Sequence, residues 1–291
     1  MHTLGWIGLG HMGELMAMNL LQAGYKVNVY NRSQEKTASL AAAGAAVLHS
    51  PKEIAEQSDI IFTMLSDAHA VQDVLTQDNG ILEGTKTGKV VVDMSTISPE
   101  DSQSFAKLVS EKGGIYIDAP VSGSVGPAKA GQLVILAGGD KKAIEMCQPY
   151  FNVLGKETIH FGSNSKGSSA KLAINLLLGI VGQGIGETLV FADKSGLDKE
   201  KVLDMISFSA MNTGLFQGKK EMYRKEEFPS AFMLALMAKD LGLVKAEADR
   251  LETTLPLAEV TDATYRSAKE NGKAKLDMAA VYLELKDQNT K

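Results

Sequence analysis

The chain has 291 residues, of which 44% are hydrophobic and 22% charged, and its formal net charge is -5. This composition is typical of a globular protein of about two domains and argues against the basic surface of a nucleic-acid-binding protein. A single cysteine, Cys147, rules out an intrachain disulfide and predicts a reducing, cytoplasmic location. The histidines lack the paired spacing of a metal site, and no targeting peptide is apparent.

The first 30 residues follow a strand, glycine turn, helix, strand pattern. An apolar strand at 3–7 precedes a G-x-G-x-x-G turn, a helical run continues to Gly24, and a second strand is expected at 27–30. In this context the motif predicts a dinucleotide site. Gly8 permits the tight turn, Gly10 lets a pyrophosphate approach the backbone, and Gly13 lets the helix pack closely on the strand. Amides at the helix N-terminus then face the phosphates.

The second strand ends in Asn31-Arg32-Ser33, where NAD-preferring sites usually carry an acidic side chain. An arginine at this position can face a ribose 2'-phosphate with two parallel, charge-assisted hydrogen bonds. NADP(H) is therefore the predicted cofactor, with Arg32 as the main contact and Asn31 and Ser33 as lesser donors.

Strands and helices continue to alternate as far as Gly162. Strands are expected at 46–48, 59–64, 89–93, 115–118, 133–137 and 158–161, and helices at 34–43, after Ser50, after Ser98 and at 140–151. This alternation predicts a doubly wound parallel sheet of the α/β class, as the N-terminal domain, residues 1–162. Because ligands bind beyond the carboxyl ends of such strands, the segments 64–66 and 95–96 are expected to line the cofactor.

The segment 119–127 is rich in small residues and allows two interpretations. It is a turn, or it presents several backbone N–H groups that hold a carboxylate. On composition alone the turn is favoured.

From Gly167 the strand signals stop, which predicts an all-helical domain over residues 163–291. A long helix at 167–192 joins the two domains, and further helices are expected at 198–207, 234–251, 257–269 and 278–285, with an irregular stretch at 211–219. The uncharged run 172–186 is shorter than the roughly 18 residues of a membrane span, and it contains Asn175, Gln183 and four glycines.

Lys171 stands just before this uncharged run and shares a helix face with Asn175. Considered alone, the lysine is expected to extend its amine to solvent. The alternative is a functional amine, and the helix itself does not decide between them.

Separate motifs in order along the chain resemble the β-hydroxyacid dehydrogenases, the family that includes 3-hydroxyisobutyrate dehydrogenase. They are GLGHMGELMAMNL at 8–20, DMSTISP at 93–99, DAPVSGS at 118–124, Gly167 with Lys171 and Asn175, and KDL at 239–241. NRS at 31–33, MLSD at 64–67, ADKSGL at 192–197, and Phe216, Gly218 and Lys219 are similar to the NADPH-dependent glyoxylate/succinic semialdehyde reductases of that family.

The resemblance implies a Rossmann domain followed by a helical domain, and hydride transfer between NADPH and a small carboxylate-bearing aldehyde. It implies that Lys171 is catalytic, with Asn175 beside it at a cleft between the domains. The implied substrate contacts are Thr96, Ser122, Gly123, Ser124, Phe232 and Asp240. The implied cofactor contacts are Gly8, Leu9, Gly10, His11, Met12, Gly13, Asn31, Arg32, Ser33, Met64, Leu65, Ser66, Thr96 and Lys239. No metal is implied.

Two departures leave the substrate open between glyoxylate, succinic semialdehyde and similar aldehydes. The reductases carry a charged or amide-bearing loop where this chain has Ser124-Val125-Gly126, and Asn-Pro where it has Thr213-Gly214. An imine reductase, which typically lacks the lysine, and a non-catalytic NADP-binding interaction domain remain alternatives. The expected partners are the small substrate and further copies of the chain, as a homodimer or homotetramer, with no nucleic acid and no membrane.

Overall fold

A computed structural model describes residues 2–290. Backbone contacts divide the chain into two compact units, one up to Lys171 and one from Leu172. The division falls inside the long helix α9, which starts at Lys166.

The first unit is an α/β domain. Its strands are β1 Leu4–Ile7, β2 Val27–Tyr30, β3 Ala46–Val47, β4 Ile60–Thr63, β5 Val90–Asp93, β6 Ile115–Asp118, β7 Val121–Ser122, β8 Leu133–Gly139 and β9 Gly155–Gly162. Its helices are α1 His11–Gln22, α2 Ala38–Ala42, α3 Pro51–Gln57, α4 Ala68–Thr76, α5 Ile81–Gly84, α6 Pro99–Glu111, α7 Val125–Lys129 and α8 Lys141–Leu154, followed by the start of α9.

The strands form one sheet in the order β3-β2-β1-β4-β5-β6-β8-β7, with β9 paired to β8. The pairings from β3 to β6 are parallel, which confirms the predicted doubly wound sheet, whereas β8 runs antiparallel to both β6 and β7. Every residue of β1, β4 and β5 is buried, as expected of strands covered by helices on both faces.

The second unit is helical. Helix α9, Lys166–Lys194, continues into it, followed by α10 Lys199–Phe208, α11 Gly214–Lys225, α12 Leu234–Arg250, α13 Pro256–Ala268 and α14 Val281–Gln288. The predicted irregular stretch at 211–219 is wrong beyond Thr213. The Thr213 hydroxyl accepts the Phe216 amide at 3.1 Å, and this cap starts α11 at Gly214.

Helix α9 is 29 residues long, and by length and composition alone it could cross a membrane, a test that core helices of soluble proteins also pass. Its first turn packs directly on the sheet. A Cβ atom on Gly167 would lie 2.2 Å from the Leu136 carbonyl oxygen and 2.6 Å from the Asp118 carbonyl oxygen. Only glycine allows the helix to start this close to β6 and β8.

Gly167→Ala is expected to lower the free energy of unfolding by about 1–3 kcal/mol or more, because backbone atoms of two strands must move to admit the methyl group. Gly218→Ala is the matched control, since Gly218 is an exposed position inside α11 where an added methyl group would meet no described atom within 4 Å. That control gains up to about 1 kcal/mol of helix propensity. Urea denaturation followed by circular dichroism measures both, and equal effects would contradict the close packing at Gly167.

Candidate active site

The glycine turn has the geometry that its three predicted tasks require. Gly8 has a φ of 100°, and a Cβ there would lie 2.3 Å from the Met64 carbonyl oxygen. A Cβ on Gly13 would lie 2.0 Å from the Gly8 carbonyl oxygen, so α1 packs tightly on the turn. At Gly10, by contrast, no described atom other than those of Gly10 and its two chain neighbours lies within 4 Å of a Cβ position. The turn is thus closed on the protein side and open at Gly10, as a bound pyrophosphate requires.

Two residues that follow β2 differ in their contacts: Asn31 is hydrogen-bonded to the chain, and Arg32 is exposed. The Asn31 side chain accepts the Leu9 amide at 2.9 Å and donates to the Ser33 carbonyl oxygen at 2.9 Å, so it ties the end of β2 to the glycine turn. Arg32 is exposed and forms no ion pair with residues 2–290. Of the turn residues predicted to contact a cofactor, Leu9 is buried, Met12 is half-buried and His11 is exposed.

A buried carboxylate holds together the two loops predicted to line the cofactor. Asp93, at the end of β5, accepts the Thr63 hydroxyl at 2.7 Å, the Ser95 amide at 3.1 Å and the Tyr116 hydroxyl at 3.1 Å. The Ser95 hydroxyl in turn accepts the Leu65 amide at 2.9 Å. Burial raises the pKa of Asp93, and these donors oppose that rise. The network brings the loop containing Met64, Leu65 and Ser66 beside the loop containing Thr96.

The predicted substrate loop is a strand, a turn and a short helix. Ser122 ends β7, Gly123 has a φ of 135°, and Ser124 occupies the N-cap position of α7. A Cβ on Gly123 would also lie 2.7 Å from Leu133 Cδ2, so both the backbone and the packing require glycine. The segment 119–127 is therefore an ordinary turn only around Gly123, between β7 and α7. The binding of a carboxylate by its backbone amides stays a prediction.

Lys171 lies in the early part of α9 and is 9% exposed. The solvent-extended interpretation of this lysine is thus disfavoured, because its side chain is buried with the helix. Asp118 accepts the amides of Ser165 at 2.8 Å and Ser168 at 2.9 Å, at the start of the same helix. Burial raises the pKa of Asp118 to about 6, although both amide donors act in the opposite direction.

Asn175 belongs to the second unit, where it is 1% exposed and hydrogen-bonded to a buried acid. Its Nδ2 donates to Asp240 Oδ2 at 2.6 Å, and Lys239 Nζ lies 3.0 Å from Asp240 Oδ1. The predicted residues Asn175, Lys239 and Asp240 therefore form one connected group. Asp240 fixes the orientation of the Asn175 amide and directs its Nδ2 toward α12.

Phe232 is positioned by a residue that sequence reasoning missed. Asp277 is fully buried and accepts the amides of Ala231 at 3.0 Å and Phe232 at 3.1 Å, as well as the Lys219 ammonium at 2.6 Å. Its other oxygen accepts the Ala279 amide at 3.1 Å. An acid before the apolar run 278–281 signals a helix start, but no local pattern reveals an ammonium 58 residues away.

Within residues 2–290, no group of three or more His, Cys, Asp or Glu side chains could hold a metal ion.

Family models match both units. The NAD-binding domain of 6-phosphogluconate dehydrogenase matches residues 3–162, and the NAD-binding domain of NADP-dependent 3-hydroxyisobutyrate dehydrogenase matches residues 165–285. The chain belongs to the β-hydroxyacid dehydrogenase family. This confirms the resemblance and the predicted fold class, a Rossmann domain followed by a helical domain, and it supports an NAD(P)-binding oxidoreductase acting on CH–OH groups.

Individual relatives cover nearly the whole dehydrogenase. Glyoxylate/succinic semialdehyde reductase 1 of Arabidopsis thaliana is 39% identical over 96% of both chains. The structure of 3-hydroxyisobutyrate dehydrogenase of Mycobacterium tuberculosis, determined with L-serine, superposes with a TM-score of 0.88 at 30% identity, covering 98% of this chain and 99% of that one. An imine reductase from Pseudomonas sp. covers 98% of this chain and 99% of its own, but at a TM-score of 0.63 and 24% identity it shows the fold alone.

Replacing Lys219 with methionine is expected to lower the free energy of unfolding of the dehydrogenase by about 3–5 kcal/mol, because it leaves Asp277 as a buried carboxylate without its cation. The neighbouring Lys220→Met is the matched control. Lys220 is 17% exposed and pairs with Asp204, whose side chain is 55% exposed. Because water can solvate the Asp204 carboxylate, this substitution leaves no buried charge unpaired, and the loss of the pair is expected to cost about 1 kcal/mol. Urea denaturation measures both variants, and a Lys219→Met loss no larger than that of Lys220→Met would contradict the role given to Asp277.

Proposed function

We propose that the protein transfers hydride from NADPH to a small aldehyde that carries a carboxylate, such as glyoxylate or succinic semialdehyde. The product is the corresponding hydroxy acid, and the reverse oxidation follows the same path. The 39% identity to a glyoxylate/succinic semialdehyde reductase supports this substrate class. The observation that carries the proposal is Lys171, a buried amine at the start of a helix whose first turn is anchored to the sheet.

The residues present fit a nicotinamide dinucleotide. Its pyrophosphate would be held by the amides around Gly10, where space is open, and its ribose would face the segment 31–33. When bound, the nicotinamide supplies the hydride.

Side chains of the protein would then stabilise the negative charge that develops on the substrate and donate the proton. As hydride reaches the carbonyl carbon, charge develops on the carbonyl oxygen, and a protonated Lys171 would stabilise that charge and donate the proton. Asn175, held by Asp240, would orient the amine or the oxygen. Thr96, Ser122 and the amides near Gly123 would bind the substrate carboxylate, with Ser124 and Phe232 as further contacts. One hydride and one proton are added, so the aldehyde becomes a neutral alcohol group.

A substrate panel tests this reaction. NADPH consumption is followed with glyoxylate, succinic semialdehyde, other small semialdehydes and a cyclic imine. Lys171→Ala is expected to reduce kcat about 100-fold or more, since a general acid contributes about 10²- to 10⁴-fold. The dissociation constant of NADPH should stay within about twofold, because the glycine turn is untouched. Lys166→Ala, at an exposed lysine of the same first turn, is the control and should keep wild-type turnover.

Each outcome of the panel selects one interpretation. Turnover of an aldehyde that survives Lys171→Ala overturns the role of the lysine. Turnover of the imine alone favours an imine reductase. NADPH binding without any turnover favours a non-catalytic interaction domain.

We further propose that the enzyme prefers NADPH to NADH through Arg32, which is exposed and has no carboxylate of residues 2–290 paired to it. Arg32→Ala is expected to raise KM for NADPH roughly 10- to 100-fold. The reason is that the variant loses the charge-assisted hydrogen bonds to the 2'-phosphate, which contribute about 1.5–3 kcal/mol. KM for NADH should change little, because NADH lacks the 2'-phosphate. Lys26→Ala, at another exposed cation beside β2, is the control. Equal effects on both cofactors would rule out this role.

We further propose that the protein is cytoplasmic, a location that its single cysteine favours, and that it is a homodimer or homotetramer, for which the second unit offers support. Ile174, Leu177 and Phe191 lie on one face of α9 and are 38%, 55% and 73% exposed. Phe208, at the end of α10, is 89% exposed. Large apolar side chains exposed to this extent often belong to an interface, and we infer that copies of the chain cover them.

A further inference from the structure

Asp118 is the buried group that the proposed reaction leaves without a role. It ends β6 and is 1% exposed, and each of its two carboxylate oxygens accepts one amide at the start of α9. These amides are among the backbone donors that a helix N-terminus leaves unpaired. The Asp118 carboxylate thus joins the first turn of α9 to the end of strand β6.

The packing around this carboxylate leaves no room for adjustment. A Cβ on Gly138 would lie 2.8 Å from Asp118 Oδ2 and 2.7 Å from the Gly167 nitrogen, and a Cβ on Gly167 would lie 2.9 Å from Asp118 Oδ2. Ser165 takes a φ of 78°, which is uncommon for serine and aims its amide at Oδ1. Two glycines and a left-handed serine are therefore arranged around one side chain.

Lys171 follows Ser168 by three residues, so the two lie on the same face of α9, one turn apart. The amide that Asp118 holds therefore fixes the position from which the lysine side chain leaves the helix. A helix N-terminus carries a partial positive charge that disfavours a cation nearby. The Asp118 carboxylate places a compensating negative charge at this end.

We propose that Asp118 is a positioning residue for Lys171, fixing the first turn of α9 and favouring the protonated amine. This inference rests on the proposed function only in assuming that Lys171 is the general acid. The protonation of the Lys171 amine itself can be measured without turnover.

The pH behaviour follows from the groups around Asp118. The titratable groups that interact electrostatically with Asp118 are Asp93 of β5 and Tyr116 of β6. Strand β8 places Gly138 opposite Asp118, and the start of α9 contributes the amides of Ser165 and Ser168. Burial raises the pKa of Asp118 from 3.8 to about 6. As the pH falls through this value, one of the two oxygens gains a proton and becomes a weaker acceptor for its amide.

This shift also fixes the sign of the effect on stability. Because the pKa in the folded state is raised, protonation of Asp118 favours folding, and its contribution is fully present below about pH 4 and lost as the pH rises through 6. A fall in turnover below pH 6 therefore does not come from unfolding driven by this group.

The test compares wild type with Asp118→Asn, which keeps the shape but removes the charge and one acceptor. Acetic anhydride labelling followed by mass spectrometry gives the pH at which Lys171 is half-deprotonated, with the full-length protein and without any substrate. In Asp118→Asn this midpoint is expected to move to lower pH. In the aldehyde assay kcat should fall roughly 10- to 100-fold, with its alkaline limb moved in the same direction and KM for NADPH unchanged.

Asp140→Asn is the matched control, since Asp140 caps α8 by accepting the Ala143 amide at 2.9 Å and that helix carries no predicted catalytic side chain. It should leave the Lys171 midpoint and kcat as in wild type. In a Lys171→Ala background, Asp118→Asn should lower kcat no further.

The outcomes separate this inference from the proposed function. A shifted labelling midpoint without turnover of any aldehyde supports the positioning role and removes the proposed reaction. An unchanged midpoint, or an additive loss in the double variant, overturns the positioning role. If Asp118→Asn does not fold, wild type supplies the test, because its kcat should fall below about pH 6 while NADPH affinity stays constant, and a flat profile from pH 5 to 8 overturns the inference.

Discussion

The contact between the Asp118 carboxylate and the first amides of α9 is the constraint on which the arrangement of Lys171 depends. A helix of 29 residues carries both Lys171 and Asn175, so an error in where it starts would displace both. Four residues fix the position at which the helix starts. They are Asp118 at the end of β6, the closely packed Gly138 and Gly167, and Ser165, whose φ lies in the left-handed region. None of these residues is needed to form a helix, and together they set its register against the sheet.

Buried carboxylates perform the same task elsewhere in both units. Asp93 joins two loops at the carboxyl ends of β4 and β5, Asp240 orients the Asn175 amide, and Asp277 fixes the loop before Phe232. Each accepts hydrogen bonds from groups distant in sequence, and a buried carboxylate without such donors is costly. Several residues predicted to contact substrate or cofactor are thus held by buried acids, of which only Asp240 is itself a predicted substrate contact.

The sequence predicts those features whose cause is local. The three glycines of the turn, the bounds of β6 and the starts of the helices after Ser50 and Ser98 follow from patterns a few residues long, and the structure confirms them. The Asp277–Lys219 pair and the anchoring of α9 by Asp118 join residues 58 and about 50 positions apart, and no spacing rule indicates them. The start of helix α11 is not predicted, because Gly214 reads as a helix breaker until Thr213 is seen to cap the helix.

The Thr213 cap also bears on the two positions where this chain differs from the reductases, because it shows whether those differences would change the backbone near the substrate. Thr213 is an N-cap and Gly214 is the first residue of α11, and Asn and Pro are favoured at those two positions. An Asn-Pro pair would start the helix in the same place, so this difference preserves the backbone. At 124–126 this chain has the N-cap and first turn of α7, and a Cβ on Gly126 would meet no atom within 4 Å outside its chain neighbours and the helix's own backbone. A charged side chain would fit there without moving the loop. The difference at this loop is therefore one of polarity, and under the proposed function the substrate carboxylate would meet backbone amides and serine hydroxyls there.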